Sequence, residues 1–216
     1  MTAVIREKLD ALSIEELANT ITHGFGLFLS VIGFAVLVIL ASFRGDRWSL
    51  LSCTVYGLSL VVLYAASTFY HSTTSPRLKK NLQIVDHCCI YLLIAGSYTP
   101  FVLLFVYNTT GLVLLSLLWV LTFVGVFIKI YYTGKYEKLS TAVYVMMGWM
   151  LIPVAKTFFA QLSTPVIALI IAGGVLYSIG VIFYLWRKFF YHHVVWHLFV
   201  LSASICHYAA ILIAVS

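Results

Sequence analysis

Residues 164–186 read TPVIALIIAGGVLYSIGVIFYLW and contain no charged side chain over 23 consecutive positions. A helix that crosses the hydrocarbon core of a bilayer needs about 20 mostly apolar residues, so this stretch predicts a transmembrane helix. Of the 216 residues, 62% are hydrophobic and 9% are charged, whereas a soluble domain carries about 25% charged residues. The chain is therefore predicted to be an integral membrane protein.

Six further apolar stretches have a similar length. The composition predicts an all-α, seven-helix transmembrane bundle that forms a single integral membrane domain over residues 1–216. Pro153 interrupts the fifth stretch and Pro100 the third, where neighbouring helices would have to satisfy the freed carbonyl groups. The predicted spans are about 22–43, 49–71, 84–107, 110–131, 140–158, 164–186 and 194–215.

The first 20 residues differ from the rest because they are rich in charge and lack the apolar core of a signal peptide. Ile5, Leu9, Leu12 and Leu17 fall on one helical face, which predicts a short amphipathic cytosolic helix over residues 1–20. A Ser followed three positions later by a Glu, at 13 and 16, matches a capping box and predicts a helix start.

The orientation of the bundle follows from the basic residues between the spans. Ten of the 13 Lys and Arg fall on the side of the N-terminus and three on the other side. Positive residues remain in the cytosol, so the N-terminus is predicted to be cytoplasmic and the C-terminus outside. The formal charge of +6 does not indicate nucleic-acid binding, because the positive residues lie in short clusters between apolar runs.

Four ionisable residues lie at the ends of these apolar stretches, at one predicted membrane level. His71 ends the second span, Asp86 begins the third, and His193 and His197 begin the seventh. Ionisable side chains are costly in lipid and indicate function. His193 and His197 are also one helical turn apart, a spacing at which two imidazoles can bind one zinc ion.

Three protein ligands plus water are typical of catalytic zinc, and His71 supplies a third imidazole. Asp86 would then ligate the zinc directly or hold its water as a general base; alternatively, it caps the third helix. Ser67, one turn from His71, either hydrogen-bonds the water or a substrate carbonyl, or packs between helices.

Other polar residues have secondary roles in this interpretation. Glu16, Asn19 and His23 are predicted to brace the site from the mouth of the first helix. His207 lies about 20 Å along the last helix from His193, so it is predicted to form an interhelical hydrogen bond. His87 and His192 read as interfacial residues, and Cys88 and Cys89 as small hydrophobic residues or, alternatively, soft metal ligands.

The assembled motifs resemble the hemolysin III family, the bacterial branch of the progestin and adipoQ receptors. The resemblance implies a seven-helix fold with zinc near the cytosolic face, His71, His193 and His197 as ligands, Asp86 holding the metal-bound water and Ser67 lining the site. The motifs that carry it, in chain order, are Glu16-x-x-Asn19-x-x-Thr22-His23-Gly24, Ser67-x-x-x-His71, Asp86, and His193-x-x-x-His197 followed by His207.

The resemblance also implies a function. The eukaryotic receptors resemble ceramidases, and the bacterial branch is associated with cytolysis and with the homeostasis of membrane lipids and energetics. The expected function is a zinc-dependent hydrolase of a lipid amide or ester in the bacterial inner membrane, with a membrane lipid or fatty acyl chain as its partner. Alternatives are a pore-forming cytolysin and a non-enzymatic lipid sensor with structural zinc, and the sequence leaves open whether copies form a homo-oligomer.

Overall fold

The protein is built from α-helices. A computed structural model describes residues 3–186, 188 and 190–216, with the side chains from residue 13 onward, and no strand occurs in these ranges. A short 3₁₀ turn spans Ile152–Val154. The helices are α1 Ala3–Arg44, α2 Arg47–Ser72, α3 Pro76–Phe105, α4 Thr109–Tyr132, α5 Glu137–Gly148, α6 Ala155–Phe159, α7 Thr164–Leu185 and α8 His192–Val215.

Seven helical segments within the described ranges are long and apolar enough to cross a membrane. Six of them are single helices, and the fifth, Glu137–Phe159, combines α5, the 3₁₀ turn and α6. The predicted all-α seven-helix membrane bundle is therefore confirmed. Its orientation in the membrane stays a prediction.

The first span is part of a single long helix. Since α1 runs without a break from Ala3 to Arg44, the expected N-terminal helix and the first span are continuous. The capping box predicted at Ser13 is wrong, because Ser13 lies inside this helix. The side chains of the predicted N-terminal apolar face before Ser13, and the loop cation Arg187, lie outside the described residues.

The third span begins earlier than its apolar pattern. Pro76 occupies the first turn of α3, where proline is favoured because its missing N–H would have no helical partner. Asp86 lies ten positions further along, well inside the helix. The alternative reading of Asp86 as a helix cap is therefore wrong.

The two prolines inside predicted spans behave differently. Helix α3 continues through Pro100 to Phe105. In the fifth span, α5 ends at Gly148 and the 3₁₀ turn contains Pro153, because proline removes a backbone donor and clashes with the preceding turn. The carbonyl of Gly148 accepts a hydrogen bond from Tyr98 Oη at 2.7 Å.

The helices form a ring in which α1 packs on α2 and α8, α2 on α3, α3 on α4, and α7 on α8, with α5 between α3 and α7. Large side chains such as Phe123 and Phe127 of α4 are exposed and form the lipid-facing surface. Helix α2 ends at the same end of the ring at which α3 and α8 begin. We call this end the histidine end, since His71 and His193 lie there.

Candidate metal centre

Three histidines converge at the histidine end. One ring nitrogen from each of His71, His193 and His197 lies within 4.8 Å of the other two, so the three could hold a metal ion. The ring centroids are 4.6 Å apart for His193 and His197 and 4.9 Å apart for His71 and His197. This is the only group of three or more potential metal ligands in the described part of the chain.

Helix geometry explains this convergence. His71 lies in the last turn of α2, while His193 and His197 lie in the first two turns of α8. Residues four positions apart share one helix face, so the two α8 imidazoles point the same way. His71 and His197 are only 5% and 1% exposed.

Glu16 orients the ring of His71. Its Oε2 atom accepts hydrogen bonds from His71 Nδ1 at 2.9 Å and from Lys79 Nζ at 2.8 Å. A carboxylate only accepts, so His71 carries its proton on Nδ1 and its Nε2 lone pair remains available. That Nε2 atom is buried and has no hydrogen-bond partner. Glu16 thus holds His71 in the tautomer that metal ligation requires.

His23 packs against another member of the cluster, His197. Its ring stacks on His197 with the centroids 3.5 Å apart and the planes 15° apart. The edge of His23 also meets Tyr64 at 5.1 Å. One turn earlier on α1, Asn19 is buried as well. The residues predicted to brace the site therefore lie beside it.

Asp86 and Ser67 lie in one cavity with two of the histidines. His193 and His197 line this cavity together with both residues. Asp86 and Ser67 approach each other there, although Ser67 Oγ makes no hydrogen bond of standard geometry. A carboxylate and a hydroxyl thus face the space next to the three imidazoles.

The donor set fits zinc. A tetrahedral zinc ion bound by imidazoles at about 2.1 Å places the nitrogens about 3.4 Å apart, which small side-chain rotations would reach from the observed spacing. His71 Nε2 and His197 Nδ1 are buried without partners, and buried polar atoms normally have one. The cysteines next to Asp86 are not part of this group: Cys89 packs in the hydrophobic core, and Cys88 Sγ lies 3.9 Å from the carbonyl of Val126.

A second polar cluster lies at the same end of the bundle and was not predicted. Lys129 Nζ lies 3.0 Å from Glu137 Oε2 and 3.4 Å from His87 Nδ1. The charge count places Lys129 on the cytosolic side at the end of the predicted fourth span, and His87 is predicted to be an interfacial residue. In the structure Lys129 is only 2% exposed and His87 is buried too. The sequence signal was a lysine inside an apolar helix with a glutamate eight positions later.

His207 lies deep in the bundle. Its Nε2 atom lies 3.2 Å from the carbonyl oxygen of Ile170 on α7, so the predicted interhelical hydrogen bond is present. The ring packs directly against the backbone of Gly173, where a Cβ atom would overlap it. His207 also lines the cavity, ten positions from His197.

The fold and this cluster define a class of protein: a seven-helix membrane protein with three converging imidazoles at one end, two of them buried. Residues 13–208 match the family model described as "Haemolysin-III related", and the chain belongs to this family. It is 43% identical to the Hemolysin-3 homolog of Bacillus subtilis (strain 168) over 198 residues, which cover 92% of this chain and 93% of the relative.

Two further relatives show how wide the similarity is. Hemolysin-3 of Bacillus cereus is 44% identical over 190 residues, covering 88% of this chain and 87% of that protein. The human monocyte to macrophage differentiation factor is 29% identical over 205 residues, covering 91% of this chain and 83% of its own. The predicted family, with its distant receptor branch, is confirmed.

Proposed function

We propose that this protein binds one zinc ion at His71, His193 and His197 and hydrolyses an amide or ester bond of a membrane lipid. The observation that supports this most strongly is the convergence of three imidazoles, two of them with buried and unpartnered nitrogens, beside the carboxylate of Asp86. Three protein ligands leave a fourth position for water, as in catalytic zinc sites.

Zinc bound there would supply a Lewis acid that lowers the pKa of a coordinated water toward neutrality. The residues of the chain have separate roles around it. Glu16 keeps the proton of His71 on Nδ1, and the stacked ring of His23 holds the plane of His197. Neither residue needs to contact the substrate.

Asp86 and Ser67 act on the reacting groups. Asp86 accepts the proton of the attacking water and returns it to the leaving nitrogen or oxygen, which is general base and then general acid catalysis. The Ser67 hydroxyl donates a hydrogen bond to the substrate carbonyl. The acyl chain occupies the cavity that continues from these residues into the bundle.

We also propose that the histidine end faces the cytosol of a bacterial cell and that the chain resides in the inner membrane. Basic residues at this end, among them Arg77, Lys80 and Lys138, support the orientation, because positive loops remain in the cytosol.

The hydrolase proposal is tested by metal analysis and by hydrolysis of fluorescent N-acyl amides and acyl esters. Wild-type protein is expected to bind one zinc per chain and to hydrolyse one lipid class. His193→Ala is expected to lose both properties. Asp86→Asn is expected to keep zinc and to lower kcat by about 10²- to 10⁴-fold, the usual contribution of general base catalysis.

His192→Ala is the matched control, because His192 is the neighbouring histidine on α8 and lies outside the cluster. It is expected to keep zinc and activity. Metal-free wild-type protein, or hydrolysis that survives His193→Ala, would contradict the proposal.

The names of the two Bacillus relatives favour a second candidate, membrane lysis. A pore would need a polar path through both leaflets. The test is ion flux through liposomes that contain the purified protein, before and after removal of zinc by a chelator. Flux that persists without zinc would favour the cytolysin.

A third candidate is a lipid sensor with structural zinc. Structural zinc sites are closed by four protein ligands, and only three candidate ligands converge among the described residues. Zinc binding with no hydrolysis of any lipid, and a fourth protein ligand in a zinc-loaded crystal structure, would favour this candidate over the hydrolase.

A further inference from the structure

The cavity has a definite depth that can be measured along two helices. On α8 it borders His193 and His197 at the metal centre and then extends to His207, ten positions beyond His197, which is about 15 Å at the rise of an α-helix. On α3 it extends from Asp86 to Tyr98, twelve positions or about 18 Å. One leaflet of the hydrocarbon core is about 15 Å thick. The cavity therefore extends from the metal centre to about the middle of the bundle.

Three aromatic side chains form the far end of the cavity, which we call the floor: Tyr98, Trp149 and His207. In α8, which the structure describes throughout, His207 is the last residue that borders the cavity. Hydrogen bonds to other parts of the protein hold all three in place: Tyr98 donates to the carbonyl of Gly148 (2.7 Å), Trp149 Nε1 to Ser178 Oγ (2.9 Å) and His207 Nε2 to the carbonyl of Ile170 (3.2 Å).

The floor is closed between α7 and α8. A Cβ atom at Gly173 would overlap the ring of His207, so this ring lies directly on the α7 backbone. The floor donors are also already used within the protein. A ligand that reaches the floor therefore meets packed rings, and a longer ligand would have to displace them.

The walls between the metal centre and the floor are mostly apolar, and no Lys or Arg is among the described residues that line the cavity. An alkyl chain fits such walls, because its burial needs no polar partner. Wall residues include Leu63, Ile90, Leu93, Ile94, Val181 and Val200.

We propose that the floor is a length gauge that limits the bound acyl chain to about 12 to 14 carbons. An extended chain advances about 1.25 Å per carbon, given C–C bonds of about 1.52 Å and near-tetrahedral angles. A depth of about 15 to 18 Å therefore corresponds to that number of carbons. The ligand class is a medium-chain acyl group. This inference rests on the proposed function in placing the acyl carbonyl beside the histidines.

Competition binding tests the length gauge without any hydrolysis. Wild-type protein in nanodiscs is incubated with radiolabelled dodecanoate, and saturated fatty acids of 8 to 18 carbons are added as competitors at equal mole fractions of the bilayer. The lipid surroundings cancel most of the gain from added methylenes, so that the fit to the cavity decides the order. Competition is expected to be strongest at 12 to 14 carbons and about tenfold weaker at 18, the usual cost of overpacking.

Two substitutions at or beside the floor should shift the optimal acyl-chain length in opposite directions. His207→Ala removes a ring and opens space against Gly173, so the optimum should move about two to four carbons longer, given the advance per carbon. Gly174→Ala adds a methyl group to the cavity, 3.4 Å from the Trp149 ring and in ordinary contact. The optimum should then move about one or two carbons shorter.

Ile205→Ala is the matched control, because Ile205 is on α8 but faces outward, with half of its surface exposed. Its optimum should equal that of the wild type. An optimum at 16 or 18 carbons in the wild type, no saturable binding at any length, or an optimum that neither floor substitution shifts would overturn the proposal.

The outcome is separable from that of the hydrolase proposal. His193→Ala protein is expected to show the same length optimum at lower affinity, because the floor does not depend on the metal. A length optimum in a protein that hydrolyses no lipid would leave the gauge standing and remove the hydrolase. Hydrolysis without a length optimum would do the reverse.

Discussion

At the scale of single side chains, Glu16 decides which nitrogen of His71 faces the other histidines. It lies 55 positions earlier in the chain and accepts hydrogen bonds from both His71 and Lys79. Lys79 is in turn 5.0 Å above the ring of Tyr70, a cation–π contact. The carboxylate of Glu16 on α1 and the ammonium of Lys79 on α3 thus hold the imidazole of His71 on α2.

Glu16→Gln is expected to weaken zinc binding about 10- to 100-fold, because a neutral amide no longer favours the proton on His71 Nδ1. The measurement is competition with a chromophoric chelator at fixed pH. Glu15→Gln is the control, since Glu15 is the adjacent residue on α1 and has no hydrogen bond to the cluster. Equal zinc affinity in the two variants would rule out this role for Glu16.

At the scale of helices, the largely buried cluster of Lys129, Glu137 and His87 joins α4, α5 and α3. Glu137 Oε1 also accepts a hydrogen bond from the backbone N–H of Gly134, in the turn between α4 and α5. Gly134 has a positive φ of 88°, which favours glycine. The cluster therefore fixes the position of the start of α5 relative to the end of α4. Helix α5 is the first part of the broken fifth span.

Lys129→Met is expected to destabilise the fold by about 3 kcal/mol, because it leaves Glu137 without its cation in a largely buried site. The double variant Lys129→Met/Glu137→Gln should recover most of this loss, since no unpaired charge remains. The measurement is the free energy of unfolding in mixed micelles.

Lys135→Met serves as the control for this pair, because Lys135 is exposed and should change stability by less than about 0.5 kcal/mol. If the double variant loses as much free energy of unfolding as the two single variants together, Lys129 and Glu137 do not act as a unit.

At the scale of the whole molecule, the candidate metal centre lies at one end of the bundle and the cavity extends about halfway through it. The distribution of basic residues predicts that this end faces the cytosol. With this orientation, the proposed hydrolase would take its substrate from the inner leaflet and release any water-soluble product on the cytosolic side.

Cysteine labelling tests this orientation in cells, with the four native cysteines replaced by alanine. Thr74→Cys lies in the connection between α2 and α3, at the histidine end, and Gln161→Cys lies in the connection before α7, at the other end. A membrane-impermeant thiol reagent should label position 161 in intact cells and position 74 only after permeabilisation. The reverse labelling pattern would place the histidine end outside the cell and contradict the predicted orientation.

Much of the fold was predictable because the bilayer imposes a local requirement. Each span must be apolar over about 20 residues, and this property can be read along the chain without knowing any contact. Helix limits were less predictable. Residues 76–83 are mostly polar but form the first turns of the third helix. Pro153 breaks the fifth span, whereas Pro100 leaves the third unbroken.

The candidate site also has one part that the sequence predicts and another that depends on how the helices pack. The spacing of His193 and His197 on one helix face is a local property, so the sequence by itself determined that pair, together with the seven spans and the family. Only the tertiary structure decided that His71, 126 positions before His197, points at the pair, that Glu16 sets its tautomer, that Lys129 is buried, and that the cavity ends at His207. These features depend on how the helices pack against one another, and a contact between distant helices leaves no periodic trace in the sequence.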